Sequence, residues 1–128
     1  MTPTETSRRT LLLVDHGSRR AEANALLERI ADGLRRRTGD TVRTAHLEIA
    51  QPDIGSAIDA CAAEGAREVV VVPWFLGPGR HTTQDIPEQV ARAGRRHPRL
   101  RLRIADPLGT DDALLDVLLS RAASARDV

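Results

Sequence analysis

Four short apolar segments alternate along the chain with longer segments in which apolar residues recur every three or four positions. The first apolar segment, residues 11–14, stops at the turn-forming residues 15–18, which is typical of a strand buried on both faces. Three further strands are predicted at residues 41–47, 68–72 and 100–104. The last of these alternates apolar and basic residues, as expected of an edge strand with one solvated face.

The segments that follow these strands have the apolar spacing of amphipathic helices. The first, residues 20–37, is followed by Gly39, and glycine commonly ends helices in the left-handed conformation. Pro52 and Asp53 open the second helix, and Asp85 is predicted to cap the N-terminus of the third. A last helix is predicted to bury four leucines against the domain, namely Leu114, Leu115, Leu118 and Leu119.

Four strand–helix units in succession predict an α/β fold, a three-layer open sheet of four parallel strands flanked by helices, because parallel strands need crossover connections. Right-handed crossovers favour the strand order 2-1-3-4. Ligands of such sheets bind beyond the carboxyl ends of the strands, where the strand order reverses. The loops at residues 16–19 and 73–83 are therefore predicted to meet in one crevice. Residues 1–9 are predicted to be a disordered tail before a single domain, residues 10–128.

Composition narrows the class of protein. The net charge of the 128 residues is +1, and Trp74 and Phe75 are the only aromatic residues besides the histidines. We therefore expect no nucleic-acid partner. The single cysteine, Cys61, excludes an internal disulfide and a cysteine-only metal cluster within one chain. No apolar run approaches the roughly 20 residues of a membrane span, and residues 1–9 do not resemble a signal peptide. We expect no membrane association and a cytoplasmic protein.

Two histidines fall in the loops of the predicted crevice. His16 directly follows the first strand, and His81 ends a loop rich in glycine and proline. A neutral imidazole binds a metal or accepts a proton near pH 7. Glu48 follows the second strand and is a third candidate, whereas His46 is more typical of a packed histidine and His97 of a helix C-terminus.

Further candidates for substrate binding flank the two histidines. Arginine binds carboxylates in a bidentate manner, so the rim of the crevice suits a polyanionic ligand. Trp74 and Phe75 either form a wall for a flat ligand or are buried as ordinary apolar residues. Gly79 lies in the loop that precedes His81, and Ser18 is placed to bind or to cap the next helix. The predicted substrate-binding residues are Ser18, Arg19, Arg20, Trp74, Phe75, Gly79 and Arg80.

Three motifs, in order, resemble those of the short, single-domain sirohydrochlorin chelatases. They are Val14-Asp15-His16-Gly17-Ser18-Arg19-Arg20, then Ala45-His46-Leu47-Glu48, and finally residues 73–81 followed by Asp85-Ile86-Pro87. The resemblance extends from about residue 11 to residue 93. It implies a single lobe of the class II chelatase fold with a metal held between His16 and His81, and with Glu48 at the acidic position.

The resemblance also implies a reaction and partners. The substrates are expected to be sirohydrochlorin and a divalent metal, in siroheme or cobalamin biosynthesis, with no permanently bound cofactor. The motifs are most similar to those of iron-inserting members, which favours iron(II), although imidazole ligands also suit cobalt(II) and nickel(II). Longer relatives contain two lobes, so a homodimer is expected for a single lobe.

Two other functions use the same histidines. A metal or tetrapyrrole carrier would bind the same ligands without turnover. A histidine phosphatase also has a histidine and glycine after its first strand, but such enzymes have an arginine before the histidine. Asp15 occupies that position here, and its carboxylate would repel phosphate.

Overall fold

The sheet has the predicted topology. The computed structural model describes residues 9–128, in which strands β1 (Arg9–Asp15), β2 (Thr41–His46), β3 (Glu68–Pro73) and β4 (Arg101–Ile104) are all parallel. Their order is β2-β1-β3-β4, which confirms the predicted order 2-1-3-4. The predicted tail lies outside the described residues, except for Arg9, the first residue of β1.

Four helices follow the strands, and their bounds are α1 (Ala21–Thr38), α2 (Ile54–Ala63), α3 (Ile86–Arg96) and α4 (Asp112–Ala123). Helix α1 ends at Gly39 in the left-handed conformation, as predicted. Helix α2 begins at Asp53, whose carboxylate accepts a hydrogen bond from the Ser56 backbone N–H. Within the described residues, no helix is long and apolar enough to cross a bilayer.

The two faces of the sheet are covered unequally. On one face, helices α2 and α3 pack on the central strands through a large buried cluster that includes Leu12, Val71, Ile58 and Ile86. On the other face, α1 forms a smaller cluster, whose buried members are Leu13, Leu27, Ala31 and Val42. The larger cluster fixes the start of α3 against β1 and β3, which is where the predicted crevice lies.

Helix α4 does not contribute to either cluster, so the predicted burial of its leucines is wrong. Leu115, Leu118 and Leu119 are between 51% and 69% exposed, and Leu114 is half-buried. After β4 the chain runs alongside the loop that follows β3, and it does not return across a face of the sheet. Leu108 donates a backbone hydrogen bond to the Phe75 carbonyl, which starts α4 beside that loop. An amphipathic pattern predicts an apolar face but does not identify what covers it.

Candidate metal-binding site

The ends of β1 and β2 bring His16 and Glu48 together. Pairing continues past both strands, because the Glu48 backbone N–H donates to the His16 carbonyl at 3.1 Å. Gly17 permits this close approach, since it has a φ of +96° and a Cβ there would lie 1.9 Å from the Glu48 carbonyl oxygen. The side chains meet as well, with His16 Nε2 3.0 Å from Glu48 Oε1.

A tight turn follows Glu48 immediately. The Ala50 backbone N–H donates to the Glu48 carbonyl at 2.8 Å across Ile49, whose φ is +74°. A β-branched residue with positive φ is strained, and such strain clusters at functional sites. The turn ends the pairing of the two segments directly after Glu48, so this carboxylate stays at the edge of the sheet beside His16.

His81 enters the site on a π-helical turn, His81–Asp85, that precedes α3. The turn is anchored by the Gly79 carbonyl, which accepts hydrogen bonds from the Thr83 backbone N–H at 2.9 Å and from the Thr83 hydroxyl at 2.7 Å. Isolated π-helical turns occur frequently at functional sites. Helix α3 begins directly after this turn, at Ile86, where the sequence predicted its start.

Asp85 is the N-cap residue of α3, as predicted, but its side chain makes no capping hydrogen bond. Instead, its Oδ2 lies 2.9 Å from His81 Nδ1. An Nδ1–H that donates to a carboxylate leaves the Nε2 lone pair available for a metal. The four-residue spacing of His81 and Asp85, which places two side chains on one side of a helical turn, was the signal in the sequence.

His16, Glu48 and His81 converge on one point. One ligand atom from each lies within 4.8 Å of the others. The two imidazole rings contact edge to face, with centroids 4.7 Å apart and planes at 70°. All three side chains are between 41% and 55% exposed, so a large ligand can reach them. Two imidazoles and a carboxylate suit a divalent transition metal and leave coordination positions open.

A second histidine–carboxylate pair lies buried beneath this cluster. His46 Nδ1 is 2.6 Å from Asp15 Oδ1, and the His46 side chain is 6% exposed. The His46 backbone N–H donates to the Pro52 carbonyl at 2.9 Å. The expectation that His46 is a packed histidine is therefore confirmed. The pair joins the last residue of β1 to the last residue of β2, next to His16.

The segment after His16 is shaped by side-chain hydrogen bonds. Asn24 accepts from the Ser18 backbone N–H and donates to the Ser18 carbonyl, at 3.0 and 2.8 Å. Ser18 Oγ accepts from the Arg20 backbone N–H, and Arg20 is the N-cap residue of α1, so the predicted cap by Ser18 is wrong. Arg20 pairs with Glu22 at 3.1 Å, whereas Arg19 is exposed beside the site.

The remaining predicted residues lie on the loop after β3. Phe75 is half-buried, packs against the larger core cluster and has its ring centroid 6.4 Å from that of His81. Trp74 is partly exposed and, with Phe75, lines an apolar groove beside α4. Arg80 is exposed and directly precedes His81. The structure thus brings Phe75 to the histidines and directs Trp74 into the groove.

A polar cleft of about 510 Å³ between α2 and α3 opens beside Glu48 and Asp85. Near its other end, His97 Nε2 lies 2.6 Å from Asp59 Oδ1. This hydrogen bond, followed by that from Arg96, holds the pKa of Asp59 below its ordinary value. The pair joins α2 to the residue that follows α3, at the opposite end of that helix from His81.

The chain matches known proteins over most of its length. Residues 10–125 match the family model CbiX. The chain is 43% identical over 112 residues to the sirohydrochlorin ferrochelatase, chloroplastic, of Arabidopsis thaliana, covering 87% of this chain and 50% of the relative. The sirohydrochlorin cobaltochelatase of Sulfolobus acidocaldarius is 33% identical over 118 residues, covering 92% of this chain and 93% of the relative.

A solved structure gives the same result. The sirohydrochlorin chelatase SirB from Bacillus subtilis subspecies spizizenii in complex with cobalt superposes with a TM-score of 0.84 at 30% identity, covering 90% of this chain and 50% of that chain. This chain spans 42% to 50% of the length of three curated relatives that it matches. The fold, the ordered motifs and the matches agree, and the chain belongs to the CbiX family of sirohydrochlorin chelatases.

Proposed function

We propose that this chain inserts a divalent metal into sirohydrochlorin, with iron(II) favoured and cobalt(II) as the alternative, in siroheme or cobalamin biosynthesis. The convergence of His16, Glu48 and His81 at the carboxyl end of the sheet carries the proposal. The names of the relatives, which are iron- and cobalt-inserting enzymes, support it. Nickel(II) also suits imidazole ligands and is a further possible substrate.

The histidines would hold the incoming metal. His81 offers Nε2, because Asp85 accepts the hydrogen bond of Nδ1. His16 offers Nε2 on the other side of the cluster, where it faces Glu48. A site with few protein ligands binds the metal long enough to remove its waters and still releases it to the pyrrole nitrogens. A closed set of four protein ligands would retain it.

Glu48, and an imidazole once it has released the metal, would accept the pyrrole protons. Sirohydrochlorin loses two N–H protons as the metal–nitrogen bonds form, so two acceptors are needed. The carboxylate of Glu48 is more than half exposed and lies 3.0 Å from His16 Nε2, which places two basic groups side by side. A positioned base contributes roughly 100- to 10,000-fold to a rate. We assign the first proton to Glu48 and the second to an imidazole.

The rim residues would bind the rest of the macrocycle. Sirohydrochlorin carries carboxylates on its periphery. The exposed Arg80 directly precedes His81 in the chain, and the exposed Arg19 follows His16 by three residues, so both guanidinium groups are candidates for binding these carboxylates. Arg20 is paired with Glu22 on the surface, so a substrate carboxylate would have to compete for it. Phe75 supplies an apolar edge beside His81. Ser18, Gly79 and Trp74 are assigned supporting roles in shaping the two loops.

We further propose that the chain works as a cytoplasmic homodimer. Each side chain of the cluster is about half exposed. A flat macrocycle bound on one lobe needs a second protein surface to exclude water from its other face. The Sulfolobus acidocaldarius relative, which is nearly the same length as this chain, supports the view that one lobe per polypeptide suffices.

Carriage without turnover is the second candidate, because the same cluster would bind metal and macrocycle. An anaerobic spectrophotometric assay of sirohydrochlorin with iron(II) and with cobalt(II) separates the two. We expect insertion well above the protein-free rate in wild type and in the control Arg36→Ala, at the opposite end of α1. His16→Ala and His81→Ala should lose it. Wild-type rates equal to the protein-free rate would contradict turnover and leave a binding protein.

The geometry of the site does not support the histidine phosphatase alternative. The carboxylate of Glu48 lies against the candidate nucleophile His16, where it would repel a phosphate group.

A further inference from the structure

Ile49, which directly follows Glu48, adopts a backbone conformation that its side chain disfavours. Its φ is +74°, and the Ala50 backbone N–H donates to the Glu48 carbonyl at 2.8 Å, so these three residues form a γ-turn with positive φ at its centre. Turns of this kind are rare and strained, and a β-branched side chain adds to the strain. Within residues 9–128, Ile49 is the only non-glycine residue with a positive φ, so strain of this kind is confined to this turn.

The loop that carries Ile49 is fixed by backbone hydrogen bonds. Directly before the turn, the Glu48 backbone N–H donates to the His16 carbonyl at 3.1 Å. At the base of the loop, the His46 backbone N–H donates to the Pro52 carbonyl at 2.9 Å. These hydrogen bonds close the loop and leave Ile49 in its middle, so the position of this residue is set before any ligand binds.

The side chain of Ile49 does not contribute to the packing that stabilises the fold. It is 59% exposed and belongs to neither buried cluster of the sheet. If the turn served only to redirect the chain, glycine or asparagine would form it with less strain. Strained residues of this kind cluster at active sites and at contacts with ligands. The isoleucine side chain is therefore best explained by a contact with a ligand.

The neighbours of Ile49 indicate the chemistry of that ligand. The carboxylate of Glu48, the preceding residue, lies 3.0 Å from His16 Nε2 in the candidate metal site. Phe75 provides a second apolar side chain beside this site, with its ring centroid 6.4 Å from that of His81. Apolar side chains around a few polar groups suit a ligand with apolar faces and central polar atoms. A conjugated tetrapyrrole, whose nitrogens point toward the centre of a flat ring, has this chemistry.

We propose, building on the metal insertion proposed above, that Ile49 is a substrate-binding residue that packs against the sirohydrochlorin macrocycle. Its side chain contacts the ring near the nitrogens whose protons Glu48 accepts, and the strained turn holds it there before the substrate binds. This contact buries apolar surface that is exposed in the free protein. Ile49 thus contributes to the affinity for the macrocycle and not to the affinity for the metal.

Titration of the metal-free protein with sirohydrochlorin, followed by the absorption of the macrocycle, tests this contact. Ile49→Asn removes the apolar side chain and tolerates a positive φ, and we expect its Kd to rise roughly 5- to 10-fold. Ile49→Val keeps the branch and most of the apolar side chain, so its Kd should stay within about twofold of wild type. Leu26→Asn, at an exposed leucine of α1, is the matched control and should leave the Kd unchanged.

The melting temperature and the insertion rate distinguish this contact from two other roles. Because Ile49→Asn relieves the strain of the turn, the variant should melt roughly 2–8 °C above wild type. A lower melting temperature would mean that Ile49 stabilises the fold, and it would overturn the proposal. A reduced insertion rate at saturating sirohydrochlorin with an unchanged Kd would also overturn it, because the turn would then only position Glu48.

Failure of this proposal is distinguishable from failure of the proposed function. A wild type that does not bind sirohydrochlorin overturns both the contact and the metal insertion. If wild type binds sirohydrochlorin and inserts the metal, but the Kd and the insertion rate of Ile49→Asn equal those of wild type, the contact alone is overturned.

Discussion

Two kinds of histidine–carboxylate pair lie at the same edge of the sheet and differ in burial. His46 and Asp15 are buried at the ends of β2 and β1, 2.6 Å apart. His81 and Asp85 lie on the turn before α3 at 2.9 Å, with both side chains partly exposed. The chemical groups are the same, so the difference in role comes from access. A buried imidazole satisfied by a carboxylate holds the fold together, whereas an exposed one can offer its second nitrogen to a ligand.

The cause of this difference is the element that carries each histidine. His46 is the last residue of strand β2, where alternation places it on the same face as Val42 and opposite Ala45, and it is buried there. His16 and His81 follow a strand or lie on a turn, where the backbone has left the sheet. The buried pair keeps the ends of β1 and β2 together. The exposed His16 and Glu48 directly follow these ends and are positioned by them.

The largest expected effect is on the rate of metal insertion, through the exposed residues of the candidate site. Glu48→Gln keeps the size of the side chain but removes the proton acceptor next to His16. We expect the insertion rate to fall by roughly 100- to 10,000-fold. Stopped-flow or steady-state spectrophotometry measures the rate, and Glu88→Gln, an exposed glutamate in the first turn of α3, is the control. An unchanged rate would assign proton removal to the imidazoles.

Asp85→Asn tests how the exposed pair is oriented. An amide is a weaker partner for the imidazole N–H, and it can also donate to Nδ1 and so favour the tautomer that protonates Nε2. Loss of such a carboxylate partner typically lowers metal affinity by roughly 10- to 100-fold. Titration with cobalt(II), followed by its visible absorption, measures the affinity. Asp59→Asn removes a comparable partly exposed carboxylate hydrogen-bonded to His97 and should leave the affinity unchanged.

The buried pair should affect stability more than metal binding. His46→Ala leaves the Asp15 carboxylate without its imidazole partner in a mostly buried position. We expect the free energy of unfolding to fall by about 1–3 kcal/mol, measured by urea denaturation. The double variant with Asp15→Ala should lose less than the sum of the single losses, because the two residues share one interaction. If His46→Ala kept its full stability but lost metal insertion, the pair would have a role in the reaction and not in the stability of the fold.

Much of the fold and the centre of the site could be predicted because they follow from local patterns. Apolar runs identify the strands, right-handed crossovers favour their order, and that order places His16 and His81 at one edge of the sheet. The position of Asp85 at the start of α3 was predicted, but the hydrogen bond of its side chain to His81 was not, because an aspartate before a helix is also typical of a side-chain cap. The leucines of α4 were misassigned because the pattern that predicts an apolar face is the same whether a core or another chain covers it.

The smallest expected effect concerns the third pair, Asp59 and His97, and its pH dependence. The hydrogen bond from His97 lowers the pKa of Asp59 in the folded chain. A carboxyl group with a lowered folded pKa stabilises the fold above its unfolded pKa, about 3.9, and loses that contribution as the pH falls through the folded value. The melting temperature of wild type should therefore exceed that of Asp59→Asn at about pH 5, and the difference should shrink below about pH 4. A difference in melting temperature that grows toward low pH would mean that the fold stabilises the protonated form of Asp59. The Asp59–His97 pair would then differ from both histidine–carboxylate pairs at the sheet edge, His46–Asp15 and His81–Asp85.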